Sequence, residues 1–96
     1  MELSKIRELD GNMCKACGIS FNLEVHHVIF RSRVKNNSEN NLITLCNKCH
    51  AKVHAYKLKI VDILNRLENK PNFRWATALA YWREKDAIKE AKRFGK

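Results

Sequence analysis

Two pairs of cysteines are the first residues of this sequence whose type and spacing could do chemistry. Cys14 pairs with Cys17 and Cys46 with Cys49, and 28 residues separate the two pairs. A two-residue spacing lets both sulfurs converge on one tetrahedral ion, with zinc–sulfur distances of about 2.3 Å. Two pairs fill all four positions of that ion. The pattern therefore predicts a closed, structural Zn²⁺ site that holds the fold together.

Other uses of the cysteines fit the sequence less well. Two disulfides would suit an exported chain, but the opening segment MELSKIRELD has alternating charges and no apolar run typical of a secretory signal. A thioredoxin-like redox pair would need βαβ surroundings, which the sequence lacks. The string from Cys46 to His50 matches the C-x-x-C-H pattern of haem attachment, but haem would leave Cys14 and Cys17 unexplained.

All four histidines lie in two short segments. His26 and His27 are neighbours in an apolar segment, and His50 and His54 are four residues apart beside the last cysteine. Residues four apart on a helix face the same way, as two ligands of one metal must. Neighbours on a strand face opposite ways, so one of the first two can join the helical pair while the other approaches a substrate. Three neutral imidazoles leave coordination positions open, which is typical of a catalytic metal site.

The elements that must position these residues can be predicted from local patterns. In chain order they are a short helix over residues 2–9, a turn over 11–20, a strand over 23–30, a polar loop over 35–41 and a strand over 42–45. A helix beginning near Cys46 or Asn47 follows. We expect the second strand to pair back on the first.

Two further helices are predicted after the histidines. Apolar residues at Ile60, Ile63, Leu64 and Leu67 follow the spacing of a one-sided helix, which should end near Asn69 because proline follows at position 71. The last helix is expected over about 72–94, with Asn72 as its N-cap and a glycine at 95 after its end. Two stripes mark this helix, one of them Ala76, Ala80, Ala87, Ala91 and Phe94, the other Trp75, Leu79 and Trp82. We expect both tryptophans to pack in the core rather than stack on bases.

The charge of the chain indicates a polyanionic partner. The formal net charge is +9 with a pI near 9.7, and residues 51–96 hold 12 Lys and Arg against 5 Asp and Glu. Such a balance attracts phosphate backbones. The basic second half can be a solvated helix face or can lie along DNA. No apolar run of membrane-spanning length occurs, so we expect no membrane partner and a cytoplasmic location, including that of a phage or mobile-element protein in its host.

The length of 96 residues predicts a single domain. A chain of this size buries only about 60 to 65% of the surface that its unfolded form exposes, so a metal site would add needed stability. We expect one domain over residues 1–96, with a core over about 11–57 and a helical extension over about 58–96.

The combined pattern resembles the HNH endonuclease family, whose ββα-metal motif carries histidine, asparagine and histidine on two strands and a helix. The matching segments are LEVHHVIFRSR and ENNLITLCNKCHAKVH, and the resemblance covers residues 14–54. It implies an α+β fold with a small zinc-stabilised, treble-clef-like ββα-metal core, flanked by helices and followed by a C-terminal helical extension. It also implies hydrolysis of DNA by nicking or double-strand cleavage, leaving 5′-phosphate and 3′-hydroxyl ends.

The resemblance also assigns roles to single residues. His27 corresponds to the general base, and the catalytic divalent ion, Mg²⁺, Mn²⁺, Ni²⁺ or Zn²⁺, falls on His26, His50 and His54. The middle asparagine falls on Asn41, which in the family orients the base and supports the loop between the strands; the adjacent Asn40 is the other register.

Two arginines follow the histidine strand closely. Arg31 and Arg33 are candidate phosphate contacts, with generic solubility as the alternative.

Two other functions stay open. The rival function, suggested by charge and cysteines alone, is a non-catalytic zinc module that binds nucleic acid. A structural protein that merely contains the fold is the third reading.

Overall fold

Two strands and the helix that follows them lie at the centre of the fold. The computed structural model describes residues 3–29 and 38–94, with side chains described as far as residue 85. Its elements are α1 (Leu3–Leu9), β1 (Leu23–His27), a single 3-10 turn (Glu39–Asn41), β2 (Leu42–Cys46), α2 (Asn47–His54), α3 (Ile60–Leu67) and α4 (Ala76–Phe94). The fold class is therefore α+β, as predicted. Within these residues no helix combines the length and apolar character needed to cross a membrane.

The two strands form an antiparallel pair, which confirms the predicted hairpin. Leu23 lies opposite Cys46, and His27 lies opposite Leu42. β1 ends at His27 rather than continuing to the expected end at residue 30, which is outside the described residues. The pairing changes beyond His27 because the amide of Ile29 donates to the side chain of Asn41, at 2.7 Å, instead of to a strand carbonyl.

The outer edge of β2 is covered by the chain on both sides of the first cysteine, Cys14. The amide of Thr44 donates to Oδ2 of Asp10 at 2.8 Å, and the carbonyl of Thr44 accepts from the amide of Lys15 at 3.0 Å. α1 packs behind this edge through the fully buried Ile6. All five residues of β2 are buried as a result, which explains why its sequence, LITLC, does not alternate between apolar and exposed polar residues.

α3 and the start of α4 complete one core with the hairpin and α2. Members of this core from each of these elements are Ile43, Leu45, Val53, Ile63, Leu64, Trp75 and Leu79. The predicted apolar face of α3 is confirmed at Ile60, Ile63 and Leu64. The expected role of the tryptophans is also confirmed: Trp75 is buried, and Trp82 is half-buried against the core.

The expected start of the last helix is wrong. α4 begins at Ala76, and Asn72 has a φ of +63°, a left-handed conformation that differs from the extended backbone of an N-cap. The intervening residues stay out of the helix, and the side chains of Arg74 and Trp75 both donate to the carbonyl of Leu42. In the alanine stripe Ala76 and Ala80 are exposed. The side chains of its other members, and the glycine at 95, lie outside the described part of the chain.

Candidate metal centres

The four cysteines form a cluster arranged to bind a metal ion. Their sulfurs all lie within 4.8 Å of one another, and Sγ of Cys17 is 3.7 Å from Sγ of Cys46. Sulfurs at about 2.3 Å from a tetrahedral zinc are about 3.8 Å apart, so this separation fits one shared ion.

Two tight turns hold the sulfurs in this arrangement. The amide of Cys17 donates to Sγ of Cys14, and the amide of Cys49 donates to Sγ of Cys46, each at 3.4 Å. Gly18 has a φ of +88°, and its amide reaches back to the carbonyl of Cys14. This left-handed position turns the chain around the first pair, and glycine occupies it without strain. Cys46 is also the N-cap of α2, so a metal here would fix the start of the helix that carries two of the histidines.

The thiol pKa values in this cluster diverge strongly. Burial raises the pKa of Cys14, but hydrogen bonds with the backbone of Cys17, Cys46 and Ala16 outweigh it and bring the pKa down to about 6. Burial raises the pKa of Cys49, and the neighbouring sulfurs raise it further. Negative charge is thus stabilised at one sulfur and opposed at another. A divalent cation would let all four ionise together.

Three histidines form a second cluster, on the face of β1 that meets α2. One nitrogen from each of His26, His50 and His54 lies within 4.8 Å of the others, and the two helical Nε2 atoms are 2.9 Å apart. The ring centroid of His26 is 4.9 Å from that of His50 and 5.4 Å from that of His54. His26 is buried, His50 half-buried and His54 exposed. One side of the cluster is therefore buried in the protein and the other is open to solvent, as a site that admits substrate requires.

A glutamate completes the cluster, and the sequence analysis missed it. Oε1 of Glu24 lies 2.6 Å from Nδ1 of His50. A carboxylate accepts, so Nδ1 carries the proton and Nε2 keeps its lone pair for a ligand. The available signal was the two-residue spacing of Glu24 and His26, which places both on one face of β1.

The buried histidine is held neutral by its surroundings. Burial lowers the pKa of His26 to about 3, and the nearby charges of His50, His54 and His27 act in the same direction. A neutral imidazole is the form that binds a metal. His26 therefore needs to release no proton before it coordinates an ion near neutral pH.

The remaining predicted residues lie at the end of β1. His27 is half-buried and follows His26, so it faces the other side of the strand. Asn41 is buried, and its side chain accepts from the amide of Ile29 at 2.7 Å and donates to the carbonyl of Ile29 at 3.1 Å. Asn40 is exposed. The buried asparagine thus ties the start of β2 to the chain just beyond His27. The positions of Arg31 and Arg33 lie outside the described residues.

These features define a class of protein. It is a ββα domain with a four-cysteine metal site at the start of α2 and a cluster of three histidines between β1 and α2. Residues 14–56 match the family model described as HNH endonuclease. This segment is therefore similar to HNH domains, and HNH nucleases act on nucleic acid. Neither the curated proteins nor the solved structures gave a match to the chain.

Proposed function

We propose that this protein is a metal-dependent endonuclease that hydrolyses DNA phosphodiester bonds. The proposal rests on the grouping of His26, His50 and His54. Their ligand nitrogens lie within 4.8 Å of one another, inside a segment that matches the HNH family model. We assign a catalytic divalent ion to these three histidines and a structural zinc to the four cysteines. The first site has protein ligands for only part of a coordination shell, and the second is full.

The chemistry divides between the ion and the side chains around it. A divalent ion bound there supplies Lewis-acid stabilisation of charge on the phosphoryl group and on the leaving 3′ oxygen. His27 accepts a proton from the water that attacks phosphorus, and the products carry 5′-phosphate and 3′-hydroxyl ends. Asn41 keeps the chain beyond His27 in place through its two hydrogen bonds to Ile29.

Charge supports nucleic acid as the substrate. A net charge of +9 favours binding to DNA through its phosphates. We assign Arg31 and Arg33, which follow the histidine strand, to flanking phosphates, where a guanidinium can bind two oxygens at once.

We also propose that residues 1–96 act as one domain, a core over about 11–57 with an extension over about 58–96. Trp75 and Leu79 of the extension are buried in the same core cluster as Ile43 and Val53. An extension that shares its core with the site is expected to be required for folding, so removing residues 58–96 should abolish the cooperative melt.

A plasmid assay tests the proposed activity. Zinc-loaded protein is incubated with supercoiled DNA and Mg²⁺, Mn²⁺, Ni²⁺ or Zn²⁺, and nicked or linear product is measured. We expect cleavage by the wild type and a loss of at least about 100-fold in His27→Ala, within the range of general-base contributions. DNA binding without cleavage under every ion would overturn the proposal and favour a non-catalytic zinc module.

The adjacent asparagines give a matched control for this assay. Asn41→Ala removes both hydrogen bonds to Ile29, whereas Asn40→Ala changes an exposed side chain. We expect Asn41→Ala to lose cleavage and Asn40→Ala to keep it. Equal activity in the two variants would contradict the role assigned to Asn41.

A further inference from the structure

Arg74 lies outside the HNH segment, yet its side chain reaches the backbone on both sides of Asn41. Nε donates to the carbonyl of Glu39 and Nη2 to the carbonyl of Leu42, both at 2.9 Å. The side chain is only 12% exposed. One guanidinium thus fixes the two ends of the short turn that presents Asn41.

Asp10, also outside the HNH segment, sets the orientation of this guanidinium. Its two carboxylate oxygens accept from Nη1 and Nη2 of Arg74 at 2.6 and 3.1 Å. The same carboxylate accepts from the amide of Thr44, so it is anchored to the edge of β2. The centre of the guanidinium lies 4.2 Å from the ring of Trp75. A planar group with fixed donors meets all these partners together, and lysine cannot.

Two tryptophans add donors to the same region. Nε1 of Trp75 donates to the carbonyl of Leu42 at 2.8 Å, and Nε1 of Trp82 donates to the carbonyl of Val28 at 2.6 Å. Val28 directly follows His27, and its own amide donates to the carbonyl of Asn41. Trp75 therefore adds a contact at the start of β2, and Trp82, in α4, holds the chain just beyond the end of β1.

We propose that Arg74 is a positioning residue for the nuclease site: by fixing the carbonyls that flank Asn41, it keeps Asn41, and through Ile29 the chain beyond His27, in the geometry that cleavage needs. The inference rests on the proposed function. It makes the segment before α4 a working part of the site.

Arg74→Lys tests this inference, with Arg83→Lys as the matched control. Arg83 also binds a carboxylate through two nitrogens, Nη1 and Nη2 to Glu68 at 3.2 and 2.8 Å, and it binds Asn65, but these partners belong to the exposed surface of α3 and the residue after it. Both substitutions keep the charge and break a comparable set of bonds. We expect kcat to fall about 10- to 100-fold in Arg74→Lys with KM for DNA nearly unchanged, and neither to change in Arg83→Lys.

Amide hydrogen exchange gives a readout independent of cleavage. The Ile29 amide, which donates to Asn41, should exchange faster in Arg74→Lys, while the Cys49 amide, which donates to Cys46, keeps its wild-type rate. A wild type that does not cut defeats the proposed function, whereas the Ile29 rate still decides whether Arg74 positions Asn41. If the wild type cuts DNA and Arg74→Lys has the same kcat, the inference is overturned. An Ile29 amide exchange rate that is the same in both proteins also overturns it.

A second variant is available if Arg74→Lys does not melt cooperatively. The double variant Asp10→Asn/Arg74→Gln leaves no unpaired buried charge, which is the main cause of unfolding when one member of a buried pair is removed. It also lacks the fork of donors to Glu39 and Leu42. The same fall in kcat and the same faster Ile29 exchange are expected, and wild-type values for both would overturn the inference.

Discussion

Oε1 of Glu24 lies 2.6 Å from Nδ1 of His50, and on the other side of the same ring Nε2 of His50 lies 2.9 Å from Nε2 of His54. The glutamate therefore fixes the tautomer and the ring orientation of His50, so that Nε2 of His50 is directed toward Nε2 of His54. A partner of this kind makes the imidazole a stronger ligand as well as a better placed one.

Glu24→Ala is expected to weaken metal binding at the histidine cluster by about 10- to 100-fold, because His50 loses the acceptor that orients it. The measurement is calorimetric titration of Mn²⁺ or Ni²⁺ into zinc-loaded protein. Glu68→Ala is the control, since it removes a glutamate that pairs with Arg83 on the exposed surface. Equal affinities in the two variants would show that Glu24 does not orient the ligand.

Cys17→Ser is expected to destabilise the domain only when zinc is present. Cys17 is exposed, so replacing its sulfur by oxygen costs little in packing, and the loss must come from the metal. With zinc we expect the free energy of unfolding to fall by about 3 kcal/mol or more; with a strong chelator the variant and the wild type should coincide. Urea denaturation under both conditions measures this. The same difference with and without zinc would rule out a metal at the cysteines.

The residues with metal-ligand chemistry could be predicted because their signals are local. C-x-x-C spacing, the four-residue step from His50 to His54 and the apolar strand around His26 each depend on residues close in sequence. The hairpin and α3 followed from the same kind of pattern. The structure adds that the four cysteines meet in one cluster and that His26, His50 and His54 meet in another, on one face of β1.

The supporting contacts could not be predicted in this way because their partners are far apart in sequence. Asp10 and Arg74 are 64 residues apart, and Arg74 and Glu39 are 35 apart. Nothing in the local pattern distinguishes a buried arginine from the many solvated ones in a basic chain. The start of α4 was predicted wrongly for the same reason. Arg74 and Trp75 lie outside the helix and donate to the carbonyl of Leu42, and helix propensity contains no information about that contact.

Tyr56→Gly is expected to stabilise the fold by about 1 kcal/mol. Tyr56 follows α2 with a φ of +59° and is 84% exposed, so the ring contributes little packing while the backbone adopts a conformation that favours glycine. Its amide donates to Val53 and the next amide to Lys52, the hydrogen bonds of a helix end. Ala55→Gly is the control: φ there is −87°, so glycine should destabilise. Thermal melts of both variants decide; a lower Tm for Tyr56→Gly would mean that the ring makes a stabilising contact.

The depressed pKa of His26 predicts a loss of stability in acid. The folded pKa is about 3, mainly because the ring is buried, whereas an unfolded histidine has a pKa of about 6.5. As pH falls below about 6.5 the unfolded chain takes up a proton that the folded chain excludes, so the contribution of His26 to stability is fully present above that pH and is lost progressively toward pH 3.

His26→Gln removes the group that takes up this proton. The free energy of unfolding of this variant should therefore depend less on pH than that of the wild type, by up to about 1.4 kcal/mol for each pH unit. Urea denaturation of wild type and variant at pH 6.5, 5.5 and 4.5, each with one equivalent of zinc, cancels the effect of thiol protonation common to both. Parallel stability curves would mean that His26 is charged in the folded protein and therefore outside the buried cluster.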